Sequence, residues 1–127
     1  MENIPYYAKL LREYLVGIYG PDDSLPDLAA DWIARYPSPN TQRSYNRSFR
    51  LFVAFARRRG IHPMQLESKH AHDFAAYLTT VTGREDKPLS STSRRSMLSA
   101  ASTFYQHWYT LKGDYTSRNP FADVPRS

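Results

Sequence analysis

The chain contains no cysteine, which rules out a disulfide framework and any thiolate-held metal. No apolar run approaches the ~18 residues that a membrane span requires, and the N-terminus lacks the apolar h-region of a signal peptide. Sustained alternation of apolar and polar residues is missing, so surface strands are not expected. Acid is missing from two long stretches. Residues 32–66 hold no Asp or Glu against Arg35, Arg43, Arg47, Arg50, Arg57, Arg58 and Arg59, and residues 87–113 hold none against Lys87, Arg94, Arg95 and Lys112. There is no G-x-S-x-G elbow, no P-loop, no G-x-G-x-x-G and no carboxylate pair at a recognisable spacing. His70 and His72 stand two apart, which on a helix turns them about 200° from one another, so they cannot share a metal. These absences leave no catalytic residue, no metal site, no cofactor and no small-molecule substrate to propose.

What is present is enough for one domain with a core. Of 127 residues, 41% are hydrophobic and 14% aromatic, a composition that excludes disorder. The ten tyrosines lie mostly at core-stripe positions and are assigned to packing. The net charge of +5 is segregated, with Asp22, Asp23, Asp27 and Asp31 crowded together and the arginines elsewhere. Segregated charge makes a one-sided positive field suited to a polyanion.

Glycine is scarce, and four of the five (Gly20, Gly60, Gly83, Gly113) each follow helical periodicity, where a left-handed C-cap is wanted. A first helix is expected over about 5–19, with Leu10, Leu11, Tyr14, Leu15 and Ile18 at helical spacing. A loop over 20–26 leads to a short helix at 27–36 carrying Leu28, Trp32 and Ile33. The next begins at Ser38, whose oxygen can accept an orphan backbone N–H, with Pro39 at the first helical position. Tyr45, Phe49, Phe52, Val53 and Ala56 form its core stripe, and the opposite face holds Arg43, Arg47, Arg50, Ala54, Arg57 and Arg58. Like charges at i,i+4 repel by a few tenths of a kcal/mol, and no acid is interleaved to offset them. A third core helix runs from Ser68 to before Gly83, burying Phe74, Tyr77, Leu78 and Val81. The loop 83–88 precedes a last helix whose apolar stripe, Met97, Leu98, Ala101, Phe104, Tyr105, Trp108 and Leu111, begins only at residue 97. Its first turns, residues 90–96, have no core anchor and are expected to project from the body.

Two helix N-terminal regions, 38–47 and 90–95, therefore combine hydroxyls, amides and arginines. Free N–H groups and the partial positive charge of a helix start attract phosphates, and Ser, Thr, Gln and Arg can read base edges in a major groove.

The stretch "SPNTQRSYNRSFRLFVAFARRRGIHPMQL" resembles the opening helix of the core-binding domain in tyrosine recombinases, the phage-integrase family. The later "LSSTSRRSMLSAASTFYQHWYTLKGDYTSRNPFADV" is similar to that family's Leu-Ser-x-x-Thr helix, its Phe-Tyr core run and its Asn-Pro close, and "ESKHAHDFAAYL" matches the helix between them. The resemblance covers about residues 28–125. It implies an all-α, SAM-like bundle of four or five helices that grips double-stranded DNA with two helices in adjacent major grooves. Carried onto this sequence, the first reading helix implies Thr41, Gln42, Arg43, Ser44 and Arg47. The second implies Ser91, Thr92, Arg94, Arg95 and Ser99, with Lys87 as a phosphate contact. Thr41, Gln42, Arg43 and Arg47 are expected to face outward.

The family's catalytic residues lie in a C-terminal domain that would follow "NPFADVPRS", so no tyrosine here is assigned as nucleophile. The expected division is an N-terminal extension at 1–26, the DNA-binding domain at 27–119 and the start of a linker at 120–127. Other recombinase protomers on the DNA are the further expected partners, with no membrane, and the expected location is cytoplasmic and DNA-associated. A helical protein-interaction module and a free-standing DNA-binding regulator are the alternatives.

Overall fold

The computed structural model describes residues 5–125, the side chain of Arg84 excepted. It is an all-α bundle of five helices: α1 (Tyr6–Tyr19), α2 (Leu25–Ala34), α3 (Pro39–Arg58), α4 (Ser68–Leu78) and α5 (Ser91–Leu111). The only pairing outside the helices among the described residues is a single bridge between Thr82 and Pro88.

Local chemistry sets the helix ends. Gly20 closes α1 at φ 88°, ψ 164°, a region open essentially only to glycine. Asp23 Oδ1 accepts the Leu25 N–H at 2.8 Å, and Pro26 sits in the first turn, so α2 starts two residues before the expected position. Ser38 caps α3 as expected, accepting the Thr41 N–H at 3.4 Å. Beyond α3, Gly60 adopts φ 68° while Ile61 N–H bonds Ala56 O (2.9 Å) and Gly60 N–H bonds Arg57 O (3.0 Å). That pair is the Schellman closure, and Gly113 repeats it after α5, with Asp114 N–H on Tyr109 O and Gly113 N–H on Thr110 O.

Gly83 departs from the expectation. It does not cap α4, which stops at Leu78, and its φ is not positive. It sits in a tight turn, donating its N–H to Lys87 O at 2.6 Å, and a Cβ there would come within 3.3 Å of the Leu89 side chain. The left-handed residues of this turn are Glu85 and Asp86, both at φ 58°.

Trp32 of α2 forms one centre of the core. Its ring stacks on Tyr45 (5.5 Å, 8°), meets Phe104 edge-on (5.6 Å, 84°), and its indole N–H donates to Thr103 Oγ1 at 3.2 Å. Phe52 forms the other, with Phe74, Tyr105 and Phe121 at 5.1, 6.2 and 5.8 Å. Tyr105 is fully buried; burial pushes its hydroxyl pKa well up, so it stays protonated and donates to Pro63 O at 2.7 Å. Edge-to-face aromatic pairs of this kind contribute about 0.5–1.5 kcal/mol each beyond area burial.

The N-terminal segment is part of this core. Ala8, Leu11 and Leu15 are buried, and α1 packs along α2 and against α3. Position 26/27, expected to separate extension from domain, falls inside α2, where Leu25 and Pro26 are both buried. At the other end Phe121 and Val124 belong to the same core, so the chain is still packed at residue 124 where a linker was expected to have begun. In α4 Phe74 and Leu78 are buried and Tyr77 is only half-buried, while Val81, expected on the same helix, lies beyond its end and is half-buried.

The histidines are used for structure. His62 Nε2 meets Asp23 Oδ2 at 2.7 Å, and His107 Nε2 meets Asp31 Oδ2 at 2.9 Å. His70 Nδ1 accepts the Glu67 N–H in a capping box, and His72 Nδ1 lies 2.9 Å from Ser68 O. Among the described residues no cluster could hold a metal, and no helix is long and apolar enough to cross a membrane.

Candidate nucleic-acid interface

The N-terminal halves of α3 and α5 lie side by side. Ser44, Arg47 and Ser48 of α3 face Thr92, Ser93, Ser96 and Met97 of α5 across a shallow cleft of about 120 Å³. The pairings continue in order, Phe49 with Phe104 (4.7 Å) and Phe52 with Tyr105 (6.2 Å), so the two helices run in the same general sense. Both N-termini therefore open toward the same end of the bundle. The cleft runs into a larger groove of about 460 Å³, where Arg47 faces Lys87, Ser90 and Ser93. Arg47 and Ser93 line both parts.

The groove is hydroxyl-rich and basic for a reason visible in the sequence. Residues 90–96 include no buried side chain, the first in α5 being Leu98. Ser90 Oγ caps α5 by accepting the Ser93 N–H at 3.1 Å. Free of core duty, the first turns of α5 can carry small polar groups. They do not stand away from the body as expected; they lie beside α3 and close one wall of the groove.

The arginines of 35–59 separate into two sets. Arg35 lies 3.9 Å from Asp31, and Arg50 stands over the Tyr14 ring of α1 at 4.3 Å. Arg58 donates to Tyr77 Oη at 3.0 Å, and Arg59 pairs with Asp73 at 3.3 Å while covering Phe55. Arg43, Arg47 and Arg57 are exposed and have no carboxylate partner among the described residues, Arg57 lying at the far end of α3 beside Tyr19 and His62. Arg47 stands half a turn away from the core stripe, directly opposite its centre. The arginine face read from the helical wheel is thus a smaller feature, centred on Arg43 and Arg47.

Thr41, Ser44 and Ser99 are half-buried, whereas Ser91, Thr92 and Arg95 are exposed. Of the eleven residues expected to touch DNA, Arg47, Ser44, Thr92 and Lys87 line the groove. Ser99 lies eight residues beyond Ser91, about 12 Å along the axis.

Two placements correct the expectation. Gln42 does not face outward: it is 7% exposed, and its amide donates to Tyr36 O at the end of α2. The signal was available, because Gln42 precedes Phe49 by seven residues and Tyr45 by three, on the core stripe. Arg94 is half-buried and folds back, its guanidinium donating to Leu89 O at 2.6 Å. That bond fastens the first turn of α5 to the strand-like segment before it. Ser93 and Ser90, by contrast, line the groove; they fall within the 90–95 region expected to attract phosphates but were not named among its individual contact residues.

A family model described as phage integrase, N-terminal SAM-like domain, matches residues 31–110. No curated protein and no solved structure matches the chain. The matched span begins within α2, so it omits α1 and the start of α2.

Proposed function

Because the chain belongs to the phage integrase N-terminal SAM-like family, we propose that it is a non-catalytic DNA-binding domain of a site-specific recombinase. It grips duplex DNA with the N-terminal halves of α3 and α5. The observation that carries this reading is Arg47, which lines a groove shared by two helix N-termini, with Arg43 one turn before it on the same helix face. Neither has a carboxylate partner among the described residues. Leaving two cations at i,i+4 without an acid costs stability, and a phosphate ligand repays it. The contacts divide by chemistry. Arg43, Arg47 and Lys87 meet phosphates; Thr41, Ser44, Ser91 and Thr92 add backbone or base-edge contacts; Arg95 is placed to extend the same surface. Gln42 and Arg94 act by holding α3 and α5 in position, not by reading bases.

Affinity in this reading is largely counterion release, so log K falls with log salt by about 0.9 per phosphate neutralised. The test is fluorescence anisotropy on duplex DNA across a salt series with Arg43→Ala/Arg47→Ala. The double variant is expected to keep its helical circular dichroism and lose close to 2 from the magnitude of the slope. An unchanged slope and affinity would overturn the assignment. A protein-interaction module would show a shallow slope in the wild type. We also expect no covalent DNA adduct from residues 1–127 on a suicide substrate.

A further inference from the structure

The groove is bordered by a feature that opposes the charge of its walls. Between α4 and α5 the chain makes a tight hairpin, fastened by Gly83 N–H on Lys87 O (2.6 Å) and Leu89 N–H on Val81 O (3.3 Å). Gly83, Lys87, Pro88 and Leu89 all line the groove, so the tip of this hairpin stands at its rim. The tip residues are Glu85 and Asp86, both exposed and both left-handed at φ 58°. Three residues, 84–86, lie between the paired Gly83 and Lys87, and left-handed positions in such a turn ordinarily go to Gly, Asn or Asp, which enter that region most readily. Glutamate gains nothing there conformationally. Its carboxylate instead lies 3.7 Å from Lys87 Nζ, a cation of the groove wall. Asp86 has no cation partner among the described residues.

We propose that Glu85 and Asp86 form an electrostatic boundary to the DNA-contact face, holding down its sequence-independent affinity. The inference rests on the DNA-binding reading above. Glu85 competes with phosphate for Lys87, and both carboxylates repel any phosphate that approaches this end of α5. Two negative charges within a Debye length of about 10 Å of the DNA backbone oppose binding wherever the protein lands, because charge carries no base information. The boundary therefore weakens contacts with unrelated duplex as much as with a target. It also limits how far the footprint extends past Lys87.

The test compares wild type, Glu85→Gln/Asp86→Asn and Arg43→Ala/Arg47→Ala on two duplexes of unrelated sequence, at low salt and across a salt series. The Gln/Asn variant removes both charges, while Asn remains tolerant of the left-handed conformation. A second variant, Asp86→Gly, relieves the backbone and keeps the Glu85 charge. The expected result is affinity about threefold to tenfold higher for Glu85→Gln/Asp86→Asn on both duplexes, with a slope steeper by about one phosphate as Lys87 is released. Asp86→Gly should give a smaller gain, from one charge only. If the arginine variant weakens binding but the Gln/Asn variant binds no better than wild type, the boundary is refuted and the DNA-binding reading stands. If neither the wild type nor the Gln/Asn variant binds, or the arginine variant binds as wild type, both fall together. A gain confined to one duplex would also refute the boundary, since it would mean that the acids read sequence.

Discussion

Gln42 and Arg47 lie five residues apart on one helix, yet their loss should damage different properties. Gln42→Ala removes the donor to Tyr36 O and leaves a partly empty polar slot where α3 meets the end of α2. A net intramolecular hydrogen bond contributes about 0.5–1.5 kcal/mol, and an unsatisfied carbonyl adds to the loss. We therefore expect a destabilisation of about 1–2 kcal/mol. For a domain of this size that corresponds to roughly 4–10 °C in Tm. DNA affinity of the folded fraction should be unchanged. Arg47→Ala is the converse. The side chain is exposed and relieves a like-charge contact with Arg43 on removal, so stability should shift by less than about 0.5 kcal/mol. Its loss should instead reduce the salt slope by about one phosphate. Urea unfolding with anisotropy on the same samples separates the two. If Gln42→Ala leaves the unfolding midpoint in place and lowers DNA affinity severalfold, the inward assignment of Gln42 is wrong.

Phe121→Ala should cost about 3–5 kcal/mol, because a fully buried ring in contact with Phe52, Phe74 and Tyr105 is lost; a urea midpoint close to wild type would show that residues 120–124 lie outside the cooperative unit. His107 sets a pH dependence. Burial lowers its pKa, opposed by its bond to Asp31, with Arg35 lowering it further, so the folded value lies below the unfolded ~6.5. The unfolded chain then takes up the proton first, and stability is retained above about 6.5 and falls as pH drops through that value. Unfolding midpoints measured from neutral to mildly acidic pH should decline more for wild type than for His107→Gln, and parallel curves would contradict the assignment.

How much of this was legible depends on whether the signal was local. Ser38, Pro39 and the spacing from Tyr45 to Ala56 specify α3 and its N-cap, because capping and periodicity act over a few residues. The same spacing places Gln42 inside, but an amide is read as polar before its position is weighed. Phe55 escaped the stripe for a different reason. It is buried against Phe74 and Tyr77 of α4, on a second face that only the tertiary arrangement defines. The fate of the arginines was likewise illegible, because a helical wheel shows which side a cation occupies and not whether Tyr14, Tyr77 or Asp73 waits there. Leu11 and Leu15 announce that α1 has a partner without saying which helix it is. Lys87 and Ser93 join one groove only because the turn before α5 folds back along α3.

The contact between Arg50 and Tyr14 bears on where this unit can be cut. Residues 31–110 are the part shared with the family, and trimming to them removes Tyr14, the ring that occupies Arg50. It also deletes two buried core residues, Leu25 and the closing Phe121. What remained would carry an additional loose cation on α3 and a core open at both ends. A shortened protein that bound DNA more strongly, and melted earlier, would be reporting on its own truncation and not on the native surface.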